Sequence, residues 1–477
     1  MTAGPTETTR LLPREEGVRE RPKNASVFLA GADESMVLVT YQTIASHFKQ
    51  LGDSPWVLAG YNLGYCVALP VYGKLSDTYG RQIPLVVSYC LFSGGCILSG
   101  TATALWQVIA GRVITGIGAA GMVALVCVLI TDNVSPSQVA ITRSYVNMVS
   151  VFGRVLGGPI GAFITDSVGW QLSFVVQAPT AIMCCIISIV LLPPAKPMDK
   201  NVKKIALRKR VDFLGIAMFA ISITTFLVAL RLLGDHEAST RITILFGVVS
   251  VVFGAFFLVV EAYYAREPVI PPGLLKSMAG PYAVQVLLQV GAFANLTNIA
   301  PYFIRTTGAS NTRAAIYLAP VFVGFTTGSV TSGYIIRKTH SWESLYVLPA
   351  FLSFGLLLST TFTGLIACTP KSIHATAICV YYLCQQVGTM LGTVLSSLTI
   401  ETIMREVLKI RLEDIPNKKE IIERVLHDSN PSIIPEALRS IIRSSYLYSF
   451  QFAAFIPVIT TAMVLPLMAI DREVEVE

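Results

Sequence analysis

Apolar residues in this chain gather into runs of membrane length, separated by short polar breaks. A helix that crosses a bilayer takes roughly 20 such residues. That rule predicts helices near 25–46, 55–73, 83–103, 106–131, 142–165, 171–193, 212–233, 242–262, 280–304, 313–336, 345–368, 374–399 and 443–469, about thirteen in all. Residues 1–24 are polar and of mixed charge, and read as a disordered cytosolic tail. A second polar stretch, 401–442, looks helical from Glu401 to Leu412 and from Lys418 to Leu426. It reads as an extramembrane loop, followed by a last helix and acidic tail in 443–477.

Basic residues orient the spans. Arg10, Arg14, Arg19, Arg21 and Lys23 lie in the tail, and Lys74 and Arg81 follow the second span. Lys196, Lys200, Lys203, Lys204, Arg208, Lys209 and Arg210 follow the sixth. All three groups share one side if the N-terminus is cytosolic, because cytoplasmic loops carry the excess of Lys and Arg. The basic cytosolic linker 194–211 separates a six-helix half, 25–193, from the rest. This organisation predicts an all-α membrane protein with two helical lobes around a central cavity.

Composition agrees and excludes other classes. Charged residues are 14% of the chain and hydrophobic residues 53%, whereas soluble domains are about 25% charged. The net charge of +7 sits in a few loops, which is topology rather than a nucleic-acid surface. Nine cysteines are scattered with no metal-ligand spacing, so neither a metal site nor a disulfide framework is expected. No apolar run near the start ends in a cleavage site, so the first span is expected to direct insertion. No nucleophile–base arrangement or phosphate-binding loop is present, so no enzyme activity and no cofactor are expected.

Candidate chemistry begins with Asp33 and Glu34, inside the first apolar run. A carboxylate at bilayer depth costs about 2.5–3.5 kcal/mol on insertion scales, so a cation should meet this pair. The other reading ends the preceding loop at the pair and starts the helix at Met36, which leaves Val27, Phe28, Leu29 and Ala30 in water. Arg112 lies in Gly111-Arg112-Val113-Ile114-Thr115-Gly116-Ile117-Gly118, where it needs a carboxylate, a carbonyl or cavity water. A purely structural ion pair is the alternative. Gly153, Gly157 and Gly161 repeat every four residues around Arg154, Gly158 and Pro159, giving a flat face for close helix contact and a bend. In Gly73-Lys74-Leu75-Ser76-Asp77-Thr78-Tyr79-Gly80-Arg81-Gln82 the glycines permit a tight turn, Asp77 can face a helix N-terminus, and Lys74 and Arg81 can pair with acids or lipid phosphates.

This last segment resembles the loop signature of the major facilitator superfamily. Arg112 resembles the fourth-helix arginine of its proton-driven members. The run Gly153 to Gly161, with Gly169-Trp170 to Pro179, resembles the antiporter motif of its drug:proton antiporters. Phe28 to Val37, Leu69 to Asp77, Glu261 to Glu267 and Pro271 to Leu275 are similar to segments of fungal vacuolar basic amino acid transporters, and related fungal exporters share most of them. The resemblance implies two additional linker helices at 212–262 and a C-terminal lobe at 263–400. The family looks fourteen-helical, and the shortfall here lies around 360–376. One missing span would put 401–442 in the cytosol and Asp471–Glu477 in the lumen. Gln385-Gln386 also precede Gly388 and Gly392 where the family often has arginine.

The resemblance implies alternating access between the lobes, driven by a proton gradient, with Asp33 as the cavity acid for which proton and cationic substrate compete. Glu34 then edges toward a neighbouring helix. Arg112 would bias that equilibrium or bind a substrate carboxylate. Gln285, Gln289, Asn295 and Asn298 are expected either to wall the cavity or to bond between helices. Glu7, Leu11 and Leu12 fit an acidic dileucine pattern, which would bind a sorting adaptor on a cytosolic tail. The expected function is import of Lys, Arg and His into the vacuole. The alternatives are a plasma-membrane exporter of drugs or other small molecules, and an inactive helix-deleted isoform that acts by associating with membrane proteins.

Overall fold

Inside a bilayer no water satisfies backbone groups, so a chain of apolar runs must cross as helices or as a closed barrel. These runs, rich in Leu, Ala, Ile and Val, form helices, and no strand occurs among the described residues. The computed structural model describes residues 14–50, 53–133, 136–191, 212–234, 239–264, 278–318, 320–324, 374–413 and 436–470, with isolated positions 273, 327, 328, 331, 361, 362, 365, 369, 421, 422 and 425. Among them, eight helices are long and apolar enough to cross a membrane. Outward-facing Phe163, Ile186, Val190, Val251, Phe256 and Val458 are exposed, a surface suited to lipid rather than water.

The first half contains α1 (Arg14–His47), α2 (Pro55–Tyr79), α3 (Gln82–Gly100), α4 (Leu105–Asn133), α5 (Pro136–Ser167), α6 (Trp170–Val175) and α7 (Gln177–Leu191). Here α1 lies along α5, α2 and α3 pack on α4, and α7 packs on α3. Next come α8 (Phe213–Gly234) and α9 (Thr240–Val259), which pair with each other while α8 touches both α2 and the second half. The second half contains α10 (Ala279–Thr307), α11 (Asn311–Ile316), α12 (His374–Arg411), α13 (Glu436–Ala453) and α14 (Phe455–Ile470). In it α10 packs on α12 and α14.

Several boundaries differ from the sequence expectation, each for a local reason. The first helix begins at Arg14, within the stretch read as a disordered tail, because residues 14–21 are mostly Arg and Glu, which favour helix. The sixth span is broken at Val176 into α6 and α7. Pro179 has no N–H for the Val175 carbonyl, which is the bond a continuous helix would need there. The helix α2 runs on to Tyr79, so the turn is confined to Gly80 and Arg81. Only Gly80, at φ 78°, uses left-handed backbone there. Gly73 is instead a helix contact, where a Cβ would lie 3.0 Å from the Cys379 sulfur. Finally, α12 passes residue 400 without a break and continues to Arg411. Its Met404 and Leu408, with Leu412 just past its end, cluster with Ile442 and Tyr446 of α13, so the described ends of 401–442 pack helix on helix.

The two ends of the bundle can be told apart. Ser26 of α1 bonds the Tyr89 hydroxyl near the start of α3, which places the beginning of α1 at the Gly80 end. The second half starts at the same end, since Cys379 near the start of α12 lies against Gly73 of α2, and the Tyr282 hydroxyl of α10 donates to the Ala377 carbonyl at 3.4 Å. Arg439 shares a hollow with Gln42, Ser46, Asp166 and Gly308 at the opposite end. Val464 of α14 packs on Val284 and Leu288, so the last helix heads back toward the Gly80 end. Among the described residues the chain thus keeps the same sense on either side of the shortfall. The reason is that α12 docks parallel to α10, with Gly388 on the Val286 carbonyl and Gly392 on the Val290 carbonyl. Most of the shortfall, the whole basic linker 194–211 and the dileucine residues Glu7, Leu11 and Leu12 lie outside the described residues.

The contact between α1 and α5 sets the geometry of the site. A Cβ at Gly153 would sit 2.3 Å from the Phe28 carbonyl oxygen, and one at Gly157 2.4 Å from that of Ala32. At Gly161 it would collide with the Met36 side chain. Backbone cannot yield as a flexible side chain can, and overpacking costs about 1–3 kcal/mol or more. Gly157→Val is therefore expected to lower the melting temperature of the detergent-solubilised protein. Gly94→Ala, which meets nothing within 4 Å, should leave it unchanged. Equal melting temperatures for wild type and Gly157→Val would contradict this packing.

Candidate functional site

Neighbouring residues on a helix point about 100° apart, so Asp33 and Glu34 address different helices. Asp33 turns toward α4, where Nη1 of Arg112 donates to both its carboxylate oxygens at 2.9 and 2.7 Å. The pair is sealed, with side-chain exposures of 0% and 1%. The guanidinium also lies 4.4 Å from the centre of the Tyr61 ring and 5.9 Å from that of Phe174, a cation–π arrangement in a dry interior.

Glu34 turns toward α5. Its Oε2 accepts from Nε and Nη2 of Arg154 at 3.1 and 2.8 Å, and Arg154 Nη1 donates to the Ser150 hydroxyl at 3.2 Å. The glycine face makes this possible by bringing the two backbones into contact at Gly153, next to Arg154, and at Gly157, three residues after it. Unlike the first pair, this one is about a quarter exposed, at 24% and 26%. Both side chains line a cavity between the halves with about 100 Å³ of room for water centres, enough for several waters.

Four helices of the first half wall the cavity, and α10, α12 and Phe322 close it from the second half. Tyr61 and Tyr65 face Tyr382 across it. Tyr382 bridges the halves through a 2.9 Å hydroxyl–sulfur contact with Cys127. Gln289, Gln385 and Gln386 supply amides, and Asn147 and Ser150 supply further polar groups. Glu34 and Arg154 are the only charged side chains among the described residues lining it. A wider, open hollow of about 540 Å³ lies at the opposite end. There Asp166 of α5 accepts from Asn311 and Thr312 at 3.0 and 2.9 Å, tying the halves together. The smaller cavity holds the complementary buried charge, so it is the candidate site.

The expected cavity acid was Asp33; the structure gives that place to Glu34. The rotational phase of α1 puts Asp33 against α4, where a cation already neutralises it. Arg112 is likewise withdrawn from the cavity, beneath Tyr61. Of the four polar residues on α10, Gln289 lines the cavity, while Gln285 is fully buried with neither amide atom bonded among the described residues. Asn298 bonds the Ser396 hydroxyl at 2.9 Å, holding α10 to α12, and neither it nor Asn295 reaches the cavity wall. Gly158 and Pro159 belong to the α1–α5 packing: a Cβ at Gly158 would sit 2.8 Å from the Ser35 hydroxyl, and Pro159 lies within an unbroken α5. At the Gly80 turn, Arg81 donates to the Ser76 hydroxyl at 2.5 Å. The side chains of Lys74 and Asp77 lie outside the described residues.

The sequence reading did not find Arg154 as an ion partner, although it named the residue. The signal was present, since an arginine at membrane depth demands a counter-charge as much as an aspartate does. The tyrosines carried no such signal, because an aromatic residue in an apolar run is ordinary packing.

Comparisons with known proteins bear on this geometry. The Major Facilitator Superfamily model matches residues 25–393. The vacuolar membrane amino acid uptake transporter fnx2 of Schizosaccharomyces pombe is 28% identical, over 90% of this chain and 80% of its own. The multidrug resistance protein fnx1 of the same yeast is 26% identical, over 89% of this chain and 86% of its own. Vacuolar basic amino acid transporter 1 of Saccharomyces cerevisiae is 24% identical, over 80% of this chain and 77% of its own. Among solved structures, a bacterial homologue of the human lysosomal transporter Spinster, inward-facing and unoccupied, superposes with a TM-score of 0.59 at 17% identity, covering 97% of each chain.

Proposed function

This chain belongs to the Major Facilitator Superfamily, and from that membership we propose that it exchanges protons for basic amino acids across the vacuolar membrane. It is a multi-pass membrane transporter, not an enzyme. The observation that carries the proposal is the Glu34–Arg154 pair, partly exposed in a cavity between two halves.

An amino acid carries an ammonium and a carboxylate. The Glu34–Arg154 pair can open and take both, the ammonium replacing Arg154 at Glu34 and the carboxylate replacing Glu34 at Arg154. The α groups of the substrate and the pair stay charge-balanced in this exchange, which matters at low dielectric. The second cation of Lys, Arg or protonated His then meets the faces of Tyr61, Tyr65 and Tyr382, where cation–π attraction operates. A proton arriving at Glu34 neutralises the carboxylate and releases the ammonium. Acid on the luminal side thus discharges cargo, and the neutral cytosolic side restores the carboxylate. The proton gradient is the driving force, and no cofactor enters the cycle. Asp33 and Arg112 hold α1 on α4 while this happens.

The test is uptake of labelled lysine into proteoliposomes acidified inside. Uptake above protein-free vesicles, abolished by a protonophore, is expected. Drug movement without lysine uptake, or lysine uptake indifferent to the protonophore, would refute the proposal.

A further inference from the structure

The two halves present different chemistry to the same cavity. Gly157 presses on the Ala32 carbonyl, and three residues before it stands Arg154. Gly388 presses on the Val286 carbonyl, and three residues before it stands Gln385. Gly161 and Gly392 repeat the contact one turn later, against Met36 and the Val290 carbonyl. In both halves, then, the same helix-on-helix packing positions a long polar side chain at the cavity wall. It is a guanidinium in the first half and an amide in the second.

The amide side is also incompletely bonded. Gln289 lines the cavity, is 1% exposed, and its Oε1 is buried without a hydrogen-bond partner among the described residues. Gln285, one turn earlier on the same face of α10, has both amide atoms in that state. Leaving a buried acceptor unsatisfied is costly, and such groups in native proteins usually have a water or a ligand to meet.

We propose that Gln289 is a specificity-determining residue whose Oε1 accepts the second cationic group of the substrate, with Gln385 and Gln386 beside it. This rests on the amino acid transport proposed above and assigns the second half its part in it. A neutral amide suits this place. A carboxylate would hold a substrate with two cationic groups too firmly to release.

Wild-type protein and the variants Gln289→Glu and Gln289→Leu are compared in lysine and glutamine uptake, with KM and maximal rate read separately. Glutamine carries a shorter, neutral amide side chain in place of the second cation. Gln289→Leu is expected to raise the lysine KM about tenfold and that for glutamine by less. Gln289→Glu is expected to lower the lysine KM and slow its maximal rate. Equal KM ratios of lysine to glutamine in all three proteins would overturn the proposal, as would a loss in maximal rate alone for both substrates. If the wild type transports neither amino acid, the reading of the function itself falls and takes this assignment with it. Wild-type uptake with an unmoved ratio removes only the role of Gln289.

Discussion

Glu34→Gln is expected to cut gradient-driven lysine uptake by at least about a hundredfold while the protein still folds. A hydrogen bond to a charged group is worth about 1.5–3 kcal/mol, roughly ten- to a hundredfold in binding. The loss of coupling adds to this, because an amide cannot carry the exchanged proton at any working pH. Folding should survive for two reasons. Glutamine keeps an acceptor oxygen where Arg154 now donates at 2.8 and 3.1 Å. The pair is also about a quarter exposed to the cavity, so the unpaired guanidinium retains contact with water. The measurement is uptake into acid-loaded vesicles, normalised to folded protein by gel filtration. The opposite pattern would sink the assignment: Glu34→Gln transporting normally, and Asp33→Asn folded but inactive.

That pair of outcomes also marks where the sequence stopped being informative. It showed that two acids sit at membrane depth and that each needs a cation. It showed two arginines in later spans, Arg112 and Arg154. It did not show which acid meets which arginine. The partners are 79 and 120 residues apart, and the choice is fixed by the rotational phase of α1 between α4 and α5. Phase is normally read from an amphipathic stripe. In α1 the residues around the acids are buried or half-buried on every face, so no stripe exists.

Spacing was informative where it encoded contact. The repeat Gly153, Gly157, Gly161 specified a face, and that face lies on α1. The glycines of the loop signature carried less, because a glycine serves a turn and a close helix contact equally well. Gly80 does the first and Gly73 the second. The split of the polar residues on α10 was hidden for the same reason as the acids. Gln289 and Asn298 differ in what they meet only because α12 lies where it does.

The second large effect concerns the sealed pair. Asp33→Asn leaves Arg112 charged, 1% exposed and facing an amide in place of a carboxylate. Breaking a buried ion pair by removing one partner costs about 3–5 kcal/mol, since the remaining charge is stranded at low dielectric. The expected result is a steep fall in folded yield and in melting temperature, whichever substrate is present. Replacing the whole pair is a different matter. Asp33→Leu combined with Arg112→Met removes both charges together, and such apolar replacements are often neutral or stabilising. The double variant should therefore recover most of the lost melting temperature, which no additive account of two damaging substitutions predicts. It should also recover lysine uptake in part, because the exchanging carboxylate, Glu34, is untouched and α1 is again seated on α4. A double variant that folds like the wild type yet shows no uptake would move the proton-exchanging role back to Asp33. An Asp33→Asn protein as stable as the wild type would mean that Arg112 finds its counter-charge elsewhere, and the division of labour between the two pairs would be lost.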